Sequence, residues 1–173
     1  MEKYWNEILW HNFGAAIDML ENAVRSCPPE AWTSSMWQDP RLGPRFSEFW
    51  YVTYHTLFWL DLYLEGRLAG YQPPAPFNLA ELDPAGLLPD RIYSSAELLK
   101  ILTHCREKCR QTLLSLTDER AQEICSFSWG DISFGDLLLD NMRHVQEHGA
   151  QLNMFLGQRS GLESPWVART GME

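Results

Sequence analysis

Residues 134–156 read FGDLLLDNMRHVQEHGAQLNMFL, and their spacing decides the fold. Leu137, His144, His148, Leu152 and Phe155 recur at three-, four- and seven-residue intervals, the period of a helix with one face turned to a core. At ~100° per residue, His144 and His148 lie only ~40° apart around the axis. Both imidazoles therefore enter the apolar face, one turn apart. Two such rings are costly to bury unless their nitrogens are occupied, either by hydrogen bonds within a polar layer or by a divalent metal. Spacing alone leaves both open. Asn141 and Gln151, three residues before and after the pair, share that face and are candidates to orient the rings.

Working outward, residues 48–64 read EFWYVTYHTLFWLDLYL and place His55 on a stripe with Tyr51, Val52, Trp59 and Leu62. A third imidazole thus points inward from a second helix, with Tyr51 and Trp59 one turn to either side as cavity walls. Three imidazoles without a fourth protein ligand are the donor set of an open, catalytic zinc-type site. His11, in line with Ile8, Ala15 and Met19 on an N-terminal helix, is a candidate cavity residue or fourth ligand. HVQEH also fits the H-x-x-E-H pattern of some zinc peptidases, with Glu147 as base. Glu147, however, falls ~90° from the centre of the inward face.

Periodicity predicts four helices: 2–26, closed by Cys27-Pro28-Pro29; 47–65, with Ser47 as N-cap and Gly66 as stop; a third opened by the Ser94/Glu97 capping box and running through Leu116; and 134–156, ended by Gly157. The stretch 33–45, with Asp39-Pro40 and Gly43-Pro44, reads as irregular, and 126–132 as the least helical part of a turn-rich interval. Residues 67–93 hold half of the 10 prolines. That segment is too long for a tight turn and too proline-rich for a helix, so it reads as a crossover that lets the second and third helices run parallel. The expected fold is all-α, a four-helix bundle over 1–157 with 158–173 as an extended surface arm of the same domain.

The chain has 173 residues, 45% hydrophobic and 21% charged, which suits one packed domain. With 14 basic against 23 acidic residues the net charge is -9. Such a field repels a phosphate backbone or an anionic membrane, so neither is an expected partner. No apolar run approaches the ~20 residues of a membrane span. The start, MEKYWNEILWHNF, lacks the order of a secretory signal, so a reducing cytoplasm is expected. Cys27, Cys105, Cys109 and Cys125 follow no zinc-ribbon spacing; Cys105 and Cys109 fall on the apolar stripe of the third helix and read as small core residues, with a thiolate pair for metal or redox work as the alternative. His104 neighbours that stripe and is expected to be partly exposed.

The inward histidine of YVTYHTLFWLDLYLEG combined with HVQEHGAQLNMFLGQRSG, with CPPEAW after the first helix and the long crossover in support, resembles the DinB/YfiT-like superfamily of metalloenzymes. That resemblance implies a four-helix bundle of up-down-down-up order, a homodimer, and a divalent metal held by His55, His144 and His148, commonly nickel or zinc and sometimes iron or manganese. It implies a small-molecule substrate, with low-molecular-weight-thiol S-transfer as one activity of the family. A metal-dependent hydrolase and a non-catalytic, metal-stabilised stress-response binding domain are the alternatives.

Overall fold

The structure is a computed structural model that describes residues 2–38, 43–161 and 164–171; the Asp39-Pro40 step falls outside them. Among the described residues there are five helices and one two-stranded sheet. No helix among them is long and apolar enough to cross a membrane.

Helix α1 (Glu2–Ser26) buries Phe13, Ile17, Leu20 and Val24 along one face. It stops where Pro28 and Pro29 remove backbone donors, and a 3-10 turn, Pro29–Ala31, follows. Helix α2 (Phe49–Glu65) is buried on nearly every side, as befits a helix that is apolar all round. Ser47 is not its N-cap. That position belongs to Glu48, which makes no side-chain cap, while the Ser47 hydroxyl donates to the Trp37 and Pro44 carbonyls. Gly66 closes α2 in the left-handed conformation, φ 75°, with its N–H on the Leu62 carbonyl. A Cβ there would sit 2.9 Å from the Phe134 ring, so both the turn and the packing require glycine.

The crossover carries the chain from Gly66 to α3 (Ser95–Leu114). Phe77 and Tyr93 bury their rings against Tyr54 of α2, at centroid distances of 4.8 and 5.4 Å. Between them a 3-10 turn, Leu79–Leu82, is capped by the Asn78 side chain, which accepts from the Ala80 N–H. The capping box at the start of α3 is present as expected, Ser94 and Glu97 satisfying each other's amides; such a cap contributes about 1 kcal/mol. Asp61 of α2, buried, accepts from Tyr71 of the crossover and from Lys108 of α3, at 3.0 Å each. His104 also reaches it, at 3.2 Å, while half its own side chain stays exposed.

After α3 the interval expected to be turn-rich contains a short helix α4 (Asp118–Gln122) and an antiparallel hairpin, β1 (Ile124–Phe127) with β2 (Gly130–Ser133). The hairpin leads directly into α5 (Phe134–Ser160), capped by Ser133. α5 passes through Gly157 and ends at Gly161, φ 66°. A helical glycine costs only about 1 kcal/mol relative to alanine, and the left-handed cap falls four residues later than the spacing predicts. The long helices pack as a ring: α1 against α3 and α5, and α2 against the same two.

The described residues of the C-terminal arm, 164–171, have no helix or strand and are mostly exposed, with one buried anchor. That anchor is Thr170, at 2% exposure. The hydroxyl donates to Asp18 Oδ2 at 2.5 Å and accepts from Arg106 at 2.8 Å, while the backbone N–H donates to the His11 carbonyl. The arm is fastened across α1 and α3.

Candidate metal centre

α2 and α5 pack side by side, and the three inward histidines meet at their contact. Ring centroids are 5.2 Å apart for His55 and His144, 5.1 Å for His55 and His148, and 4.5 Å for His144 and His148. One nitrogen from each ring lies within 4.8 Å of the other two, which makes the trio able to hold a metal ion. No fourth His, Cys, Asp or Glu joins this group among the described residues.

Two of the rings are oriented by hydrogen-bond acceptors behind them. His148 Nδ1 lies 2.7 Å from Gln151 Oε1, and His55 Nδ1 lies 2.5 Å from Glu81 Oε1. Each contact offers an acceptor for a proton on Nδ1, the arrangement in which Nε2 is the nitrogen available to a metal. His144 Nε2 lies 3.2 Å from His55 Nε2, and its Nδ1 is buried without a hydrogen-bond partner. Burial first, and then the two neighbouring imidazoles, lower the His144 pKa from 6.5 to about 2. Burial and His55 likewise lower that of His148, with the Gln151 hydrogen bond acting in the opposite sense. At neutral pH both rings are neutral, each with one nitrogen free of a proton and able to bind a metal.

Glu81 was not among the expected site residues. Its side chain is 5% exposed and accepts from Tyr51 Oη at 3.0 Å and Trp59 Nε1 at 3.2 Å besides His55. The only sequence signal that could have pointed to it is Asn78, whose side chain caps the 3-10 turn that carries it. Tyr51 and Trp59 therefore flank His55 as expected and are tied to it through one carboxylate. Burial, and next the Glu81 charge, push the Tyr51 phenol well above its ordinary pKa, so it is a donor here and not a base. From Trp59, edge-to-face against His55, an aromatic wall continues through Tyr63 to Phe127 and Trp129 of the hairpin. Trp129 is half exposed and donates its indole N–H to the Tyr63 hydroxyl at 3.2 Å.

The remaining candidates divide. Gln151 meets His148 as described. Asn141 is buried, but its side-chain N–H donates to the Leu60 carbonyl at 3.1 Å, tying α5 to α2, and its Oδ1 has no hydrogen-bond partner. His11 is not part of the cluster; its ring faces Arg169 of the C-terminal arm at 3.2 Å, because the arm returns over that part of α1. Glu147 is exposed and lines a surface depression with Asn12 and Arg143, which removes the base that a peptidase reading requires. Cys105 and Cys109 are fully buried, and burial pushes both thiols far up; they are core residues.

Residues 12–152, most of the chain, match the DinB superfamily. No curated protein matches the chain, and no solved structure does.

Proposed function

The chain belongs to the DinB superfamily, and from that membership and the converged imidazoles we propose that it is a metal-dependent enzyme whose His55, His144 and His148 hold a divalent cation. The observation that carries this reading is the donor chemistry: three clustered imidazoles, two with Nε2 freed by acceptors on Nδ1 and none offset by a fourth protein ligand among the described residues. The unpartnered atoms support it as well. With its Nε2 committed to a cation, His144 keeps its proton on Nδ1, and Asn141 Oδ1, three residues earlier on the same helix, is an acceptor of matching chemistry. Imidazole donors suit nickel or zinc best, with iron or manganese also compatible.

The reading extends to a low-molecular-weight-thiol S-transferase acting on a small electrophile, in an up-down-down-up bundle that works as a homodimer. When bound, the metal supplies acidification of a thiol, so that the sulfur displaces a leaving group near neutral pH. The chain's own residues do the positioning. Glu81 and Gln151 hold protons on the outer nitrogens of His55 and His148. Trp59 and Tyr63 exclude water on one side and offer an apolar wall to the electrophile.

The experiment loads the purified protein with nickel, zinc, iron or manganese and supplies several thiols with a chlorinated aromatic acceptor. Thiol-dependent chloride release above that of the His148→Ala variant supports transfer, and no metal–thiol pair exceeding that variant overturns it. One observation favours a second, non-catalytic reading: the cluster bridges α2 and α5, so a metal there would tie the two helices. That reading predicts a large fall in Tm on chelation with no exchangeable position on the metal.

A further inference from the structure

We propose that Glu81 is a positioning residue that couples the metal site to the crossover, so that metal occupancy and closure of the Leu79–Leu82 turn onto α2 form one linked equilibrium. The proposal rests on the three-histidine metal reading above.

The placement of Glu81 motivates it. Its three donors, Tyr51, His55 and Trp59, stand one turn apart along α2, so the carboxylate lies along a single stripe of that helix. Its hydrogen-bonding partners are Tyr51, His55 and Trp59, and no lysine or arginine forms an ion pair with it among the described residues. A nearly buried anion without a fixed cation is costly. A cation held by His55 would supply positive charge through the ring that Glu81 already contacts.

The turn that carries Glu81 depends on this contact. None of the residues of Leu79–Leu82 is buried, although Leu82 packs partly against the core. The aromatic anchors of the crossover, Phe77 and Tyr93, lie on either side of the turn. Between those anchors, Glu81 is hydrogen-bonded to three residues of α2.

A cation on His55 Nε2 polarises the opposite N–H and strengthens its hydrogen bond to Glu81. Linkage makes the effect reciprocal: whatever holds the turn closed raises metal affinity by the same factor. An outer-sphere partner of this kind changes metal affinity by about 10- to 100-fold.

The test uses the full chain and zinc alone. Hydrogen–deuterium exchange is followed over peptides spanning 77–83, with and without zinc, in the wild type and in Glu81→Gln; zinc affinity is measured by competition with a chromophoric chelator. Expected are zinc-dependent slowing of exchange in the wild type of about 5-fold or more, a 10- to 100-fold weaker zinc affinity in Glu81→Gln, and no zinc-dependent slowing in that variant at saturation. Zinc binding with unchanged exchange at 77–83 in the wild type overturns the coupling and leaves the metal reading intact. That measurement needs no variant to fold. Wild-type protein that binds none of the divalent metals overturns the metal reading and the coupling with it. Glu81→Asp serves as the conservative control: partial recovery of zinc affinity supports positioning through His55, and a loss as deep as in Glu81→Gln counts against it.

Discussion

Gln151 Oε1 lies 2.7 Å from His148 Nδ1, one turn further along the same helix. This contact fixes the ring without help from any other element, because residues three apart on a helix are neighbours whenever the helix forms.

Replacing Gln151 therefore removes a partner of His148 that belongs to the same helix. Gln151→Leu keeps the bulk but loses the acceptor, so His148 is free to rotate and change tautomer. The expected outcome is roughly a 10-fold loss of zinc affinity by chelator competition, with helix content by circular dichroism unchanged. Equal affinities in variant and wild type remove Gln151 from the site.

The depressed imidazole pKa values make the metal-free protein acid-sensitive. Unfolded, His144 takes up a proton near 6.5; folded, it does so only near 2, and His148 is shifted in the same direction. Between those values the unfolded state binds more protons, so stability rises with pH. The contribution is complete above 6.5, declines as the pH falls below it, and is exhausted at about 2. Each such group costs about 1.4 kcal/mol per pH unit within the window. Urea unfolding of chelated protein should lose about 2 kcal/mol or more between pH ~7 and ~5. His144→Gln should flatten that slope, and zinc should shift the loss to lower pH.

The histidine trio is legible in the sequence because each member lies on a regular helix, where a three-to-four-residue period fixes direction. His55, His144 and His148 meet for that reason. Glu81 is illegible by the same logic: its segment has no period, and its direction follows from the path of a proline-rich crossover. Ser47 shows how a local signal can lose to tertiary contact. Its hydroxyl serves the Trp37 and Pro44 carbonyls instead of the helix start. The hairpin escapes detection because its strands are four residues each and lack a clear apolar alternation. His11 points to the arm, whose return path no periodicity encodes.

The arm's fastening gives a prediction in which two effects oppose. At Gly14 an added Cβ would stand 2.4 Å from Thr170 Cγ2, so Gly14→Ala must expel the threonine. Helix propensity gains about 1 kcal/mol, and the two Thr170 hydroxyl bonds lose about 1 kcal/mol each. The net expected change is a loss of about 1 kcal/mol of stability, while the arm detaches. Trypsin should cut after Arg169, which is exposed but held beside the anchored Thr170, faster in Gly14→Ala than in the wild type. Equal cleavage rates mean that the arm is not held by this contact.

The protein's own thiols should be silent in any sulfur transfer. Burial comes first among the causes that raise all four, Cys27 to about 12 and Cys125, Cys105 and Cys109 upward as well. A thiol far above its ordinary pKa is almost entirely protonated at neutral pH, and the protonated form is not the nucleophile. A transferred sulfur must therefore come from a thiol that enters from solution. Native protein treated with a disulfide reagent near neutral pH should react at none of the four cysteines on the timescale in which denatured protein reacts at all of them. Rapid modification of Cys27, the least buried of them, would show a thiolate accessible in the native fold and reopen a role for the chain's own sulfur.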